Sequence, residues 1–143
     1  MLSFAVPVVT ETEATAYIAA GGAAGWPADA TLQRQAIMRG QRNVAARFNA
    51  RWRAAWPEGE TPEPMRLAVI EAAVLEARKP GALSPVSIPA TDKVLIGVGK
   101  VTWERIGDAS APDAFVPRIA TIEGLLAGLI WPTGTGAFPR AIG

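Results

Sequence analysis

The chain has 143 residues, half of them apolar and 19% charged, with a formal net charge of +1. That length suits one domain of ordinary size, and the charge is too balanced to draw the whole molecule to nucleic acid or to a membrane surface. There is neither Cys nor His, which excludes disulfides, cysteine nucleophiles, Ser-His-Asp and Cys-His arrangements and the common zinc sites, and removes the side chain best suited to proton transfer near neutral pH.

Met1 to Val9 is apolar but has no positive flank and is interrupted by Pro7, so it is not expected to be a secretion signal. Thr10-Glu11-Thr12-Glu13 fits a capping box and predicts a first helix to about Ala20, closed by Gly21-Gly22 because glycine takes the left-handed C-terminal conformation without penalty. Trp26-Pro27 then turns the chain. Asp29 opens the stretch around which the rest is organised, a long helix expected to run to Trp56, where Pro57 stops it. At about 100° per residue, Ile37, Met38, Val44, Ala45, Phe48, Trp52, Ala55 and Trp56 fall on one face, with Arg39, Arg42 and Arg53 opposite.

Pro62-Glu63-Pro64 marks the start of a third helix to about Lys79. Its apolar residues point all round the axis, which suits either the central helix of a monomer or contact with a neighbouring subunit. Pro80 to Pro85 ends the helical region, and the chain is expected to be extended through Val86, Ile88 and Pro89. Val94-Leu95-Ile96 and Val101-Thr102-Trp103 flank Gly97-Val98-Gly99-Lys100 and predict a β-hairpin arm over 86–106. Pro117 is placed to start a last helix through Trp131, with Ile122, Leu125, Leu126 and Leu129 on an apolar face. Gly124 and Gly128 add a small-residue face. Glycine inside a helix costs about 1 kcal/mol relative to alanine, so a close backbone neighbour is expected there. That apolar run is shorter than the roughly 20 residues needed to span a bilayer, and no membrane partner is expected.

The expected fold is therefore mainly α: one domain, 1–143, with about four helices, the helical part over 10–79, an extended β-hairpin arm and a C-terminal helix and tail over 115–143. No constellation points to chemistry. Gly97 to Thr102 lacks the Walker spacing, since Val94 stands where a glycine is needed and Val101 follows Lys100. Asp108 and Asp113 are explained by turn chemistry. Three Trp-Pro pairs, at 26, 56 and 131, are expected to be helix ends with an aromatic packed at the boundary. From Asp29 to Trp56 there are six Arg against one Asp, and from Glu58 to Glu76 five Glu against one Arg. Such asymmetry suits self-association; arginines beside Trp52 are also the vocabulary of single-stranded nucleic-acid binding.

The order of motifs resembles tailed-phage, or gene-transfer-agent-like, head-tail adaptor proteins, often labelled DnaT-like single-stranded-DNA-binding proteins. The likeness is carried by Thr12-Glu13-Ala14 leading into Ala16-Tyr17-Ile18-Ala19-Ala20, Ala30 to Ala36 running on to Phe48 and Arg51-Trp52-Arg53, Pro64 entering Leu67-Ala68 and Glu71-Ala72-Ala73, and Pro80 to Pro85. It continues through Lys93-Val94, Val98-Gly99, Trp103-Glu104, Pro117 and Leu125-Leu126. The resemblance implies a structural virion protein at the neck, made in the host cytoplasm. It would form a ring, typically dodecameric, between the portal protein and a stopper or tail-completion protein, with double-stranded DNA passing through the lumen without sequence specificity. Neither catalysis nor a cofactor is implied. Subunit contacts are expected at Val94, Ile96, Val101, Trp103, Gly124 and Gly128, portal docking at Trp131, Phe138 and Arg140, and a DNA-facing basic set at Arg39, Arg42 and Arg53. The alternative is a DnaT-like single-stranded-DNA-binding protein using those same arginines.

Overall fold

A computed structural model describes residues 1–57, 59–84 and 119–132, and within them the chain is mainly helical, with four α-helices. Helix α1, Glu11–Gly21, starts where Thr10 Oγ1 accepts the Glu13 amide and ends on Gly22 in the left-handed region at φ 67°. The predicted cap and stop both hold. Helix α2, Ala30–Phe48, begins on Asp29, whose carboxylate accepts the Leu32 amide. It ends eight residues before Trp56. A 3-10 turn, Asn49–Arg51, follows, and Trp52 is already extended.

The reason for the early stop is tertiary. Trp52 forms an antiparallel bridge with Ile130: the Arg53 amide donates to Leu129 O and the Trp131 amide to Arg51 O, at 3.0 and 2.8 Å. Those bonds replace the helical ladder. Trp52 and Trp56 continue the apolar spacing of α2, so periodicity alone extends the helix past its end.

Helix α3, Glu63–Arg78, has Pro62 at its cap and Pro64 in its first turn. Met65, Ala68, Val69, Ile70, Ala72 and Ala73 are all fully buried. Its principal neighbour is α2, and α4 also packs on it. Of the two readings of an all-round apolar helix, the central helix of the monomer is the observed one. The bond from Tyr17 Oη to Glu71 Oε1, at 3.0 Å, and the Arg66–Glu13 pair, at 3.2 Å, attach α1 to it. Burial first, and the Glu71 carboxylate second, hold the Tyr17 phenol above its usual pKa.

Helices α2 and α3 touch at backbone distance. A Cβ on Gly40 would lie 2.6 Å from the Ala73 nitrogen and 2.9 Å from the Ala72 carbonyl carbon. Because Gly40 meets Ala72 and Ala73 while Arg39 pairs with Glu76, α3 runs back along α2. Helix α4 is Ala120–Leu126, shorter than the expected Pro117-to-Trp131 span. Ile119 before it is extended, and after Leu126 the chain turns and straightens so that Ile130 can pair with Trp52. The hairpin arm over 86–106 and the tail after Pro132 lie outside the described residues. Among the described residues no helix is long and apolar enough to cross a membrane.

Candidate functional site

Polar side chains of α2, with Asn49 just beyond it, hold bent and turning chain against the helix on two flanks. Gln41 is fully buried, yet every polar atom of its amide is used: Oε1 accepts the Val8 amide at 2.8 Å, and Nε2 donates to Ser3 O and Val6 O at 2.6 and 2.7 Å. Eight residues on, Asn49 exchanges bonds with both backbone groups of Leu2 at 3.0 Å. Arg42 Nε donates to Phe4 O at 2.9 Å. These three residues strap residues 1–9 along the helix, with Leu2 and Val9 in the core and Met1, Phe4 and Val6 facing outward.

On the other flank lies the chain that leaves α3. Glu76 is almost fully buried and accepts the Gly81 amide at 2.8 Å and the Leu83 amide at 3.0 Å. Arg39 Nε stands 3.3 Å from its carboxylate, out of hydrogen-bonding alignment, so that contact is an ion pair. Asn43 Nδ2 donates to Leu83 O at 2.8 Å. A buried carboxylate unable to reach water is satisfied here by backbone donors, which fixes the loop 81–83.

At the far end of α2, Phe48, Trp52 and Trp56 form an aromatic ladder with centroids 6.3 and 5.4 Å apart. Arg51 donates to Trp131 O through two nitrogens, and Arg53 donates to Ile130 O at 3.0 Å while its guanidinium lies 5.0 Å from the Trp131 ring. Trp131 is thereby held in place yet remains 58% exposed.

The outward face of α2 carries a trough of about 390 Å³ lined by Thr31, Arg34, Gln35, Met38, Arg39 and Arg42. Positions three, four, seven and eight apart bring these side chains into one stripe. Arg34 also pairs with Glu11, whose carboxyl is held below its ordinary pKa by its own backbone amide first and by Arg34 second.

The expected site residues therefore fall into three groups. Arg39, Arg42 and Arg53 do not form one basic face: Arg39 serves Glu76, Arg42 serves the N-terminal strap, and Arg53 lies beyond α2, on the bridge with α4. Gly124 and Gly128 are exposed, with no heavy atom within 4 Å of a built Cβ, and only Gly124 is helical. The structure joins Trp131 to Arg53, a pair the sequence pattern left apart. Val94, Ile96, Val101, Trp103, Phe138 and Arg140 lie outside the described residues, as do Asp108 and Asp113. Gly40, Gln41, Asn49 and Glu76 were missed; a glutamine on the core side of α2 was the available signal for a segment needing backbone partners. No family model, curated protein or solved structure matches the chain.

Proposed function

We propose that this chain is a structural connector subunit, a head-tail adaptor that assembles into a ring between a portal and a stopper or tail-completion protein and lines the DNA passage. The observation that carries this reading is the display of apolar side chains on non-helical segments that the helical core pins in place. Phe4 and Val6 stand on the strap held by Gln41, Arg42 and Asn49, and Trp131 stands on the bridge held by Arg51 and Arg53. Large apolar groups held rigid and exposed have already lost much of the conformational freedom that docking would cost, which suits assembly. In this reading the 86–106 arm joins neighbouring copies, Gly124 and Gly128 let a neighbour's backbone approach, and the tail from Trp131 through Phe138 and Arg140 reaches the portal.

A DNA-binding reading draws less support, because the three arginines expected to carry it do not share one face: Arg39 and Arg42 lie on α2, where they serve Glu76 and the N-terminal strap, and Arg53 lies beyond α2 beside the bridge to Ile130. The test is electron microscopy and mass photometry of the chain alone and co-expressed with the portal protein of the same genome. A closed ring seated on the portal is expected. A chain that stays monomeric with portal present, while binding oligonucleotides in a salt-dependent way that is lost on Arg39→Ala, Arg42→Ala or Arg53→Ala, overturns the reading.

A further inference from the structure

Among the described glutamates, Glu60 and Glu63 stand apart: both are exposed and neither pairs with a described cation, whereas Glu11, Glu13, Glu76 and Glu123 each pair with an arginine and Glu71 with Tyr17; the exposed Asp29 is engaged as the cap of α2. They flank Pro62, which is held in polyproline geometry at φ −54°, ψ 140°. On the cationic side, Arg34 and Arg42 line the α2 trough and each is anchored through Nε, at Glu11 and Phe4 O, leaving the terminal nitrogens of both guanidinium groups for further acceptors. Met38 lies in the trough between them.

We infer that the α2 trough of one copy receives the Glu60–Glu63 segment of a second copy of this chain. This inference rests on the connector reading and names the contact between its neighbouring subunits. Arg34 and Arg42 take the two carboxylates, and Met38 takes the proline between them. The dimensions agree: three residues of extended chain span about 9 Å and eight residues of helix about 12 Å, a difference that arginine side chains absorb.

One copy cannot satisfy itself. Because α3 runs back along α2, its first residue lies about 15 Å along the axis from the level of Gly40, towards the far end of α2 from the trough. Trough and acidic segment are thus two different patches on one molecule. A contact between them is heterologous, and it propagates from copy to copy until rotation closes it.

The experiment compares the full chain, an Arg34→Glu/Arg42→Glu variant, a Glu60→Arg/Glu63→Arg variant and their equimolar mixture by sedimentation velocity over a series of salt concentrations. Circular dichroism checks that each variant is folded. Each variant alone is expected to associate at least about tenfold more weakly than the wild type, the mixture to recover association, and the wild-type association to weaken with salt. Unchanged association of both variants, or no recovery on mixing, overturns this contact and leaves the connector reading intact. A wild-type chain that does not self-associate at any salt concentration also overturns it, while the portal experiment decides the connector reading separately.

Discussion

At Gly40 an alanine substitution sets two effects against each other. The helix interior would gain up to about 1 kcal/mol from the better helix former, but the added methyl would sit 2.6 Å from the Ala73 nitrogen, a backbone atom that moves only if α3 moves. Overpacking of a core costs about 1–3 kcal/mol, and here it falls on two helices in backbone contact. Gly40→Ala is therefore expected to destabilise the fold by about 1–2 kcal/mol, read as a lower urea midpoint. Gly124→Ala is the control, since that Cβ meets nothing within 4 Å; it is expected to raise the midpoint. If Gly124 faces a neighbour in the ring, the same substitution weakens association while strengthening the monomer. Equal loss of stability in both variants would mean that the α2–α3 approach is not what requires the glycine. The sequence reading placed the close contact at Gly124 and Gly128 because two glycines share one face there. Gly40 was passed over because a single glycine amid alanines and glutamines carries no pattern, and only the partner's Ala72-Ala73 explains it.

At the scale of elements, the helical caps were legible and the non-helical segments were not. Thr10, Asp29 and the Pro62–Pro64 start signal through local chemistry that involves a few neighbouring residues, and all three mark observed helix starts. The strap at 1–9 is set instead by Gln41 and Asn49, more than thirty residues away in sequence. Nothing in the strap's own residues announces a partner. The same dependence makes it testable. Gln41→Ala strips the Val8 amide and the Ser3 and Val6 carbonyls of their partner and opens a cavity beneath them. The expected cost is about 2–3 kcal/mol, concentrated in the strap rather than spread over the helices. Hydrogen exchange at Val8 should accelerate sharply and chymotrypsin should cut after Phe4, while the α3 amides keep most of their protection. Uniform loss of protection would show that the strap belongs to the global unfolding unit. Under the connector reading, readiness of the strap to detach would bear on function, because Phe4 and Val6 would serve docking only while it stays seated.

For the whole molecule the question is whether α4, returning to the bundle after residues 85–118, is part of one cooperative unit. Three observations say that it is: Ile122, Leu126 and Ile130 are buried at intervals of four, α4 packs on α3, and the Trp52–Ile130 bridge joins its end to the end of α2. Apolar spacing in the sequence predicted the helix and its buried face, but not the bridge, because a single pair of residues far apart in the chain leaves no periodic trace. Leu126 is fully buried, so truncating it leaves a cavity that the surrounding side chains fill only in part. Leu126→Ala is expected to cost about 2–4 kcal/mol. The shape of the transition carries more information than its size. Trp52, Trp56 and Trp131 lie around the Trp52–Ile130 bridge, so in a Trp26→Phe/Trp103→Phe background tryptophan fluorescence reports on that junction, while far-ultraviolet circular dichroism reports chiefly on α1, α2 and α3. With α4 integral to the fold, both probes should show one shared midpoint in that background and one shared, lowered midpoint when Leu126→Ala is added. A fluorescence transition at clearly lower denaturant than the loss of helicity would make α4 a separately docked element. Trp131 would then be presented by a detachable end, not by the rigid bundle on which the connector reading relies.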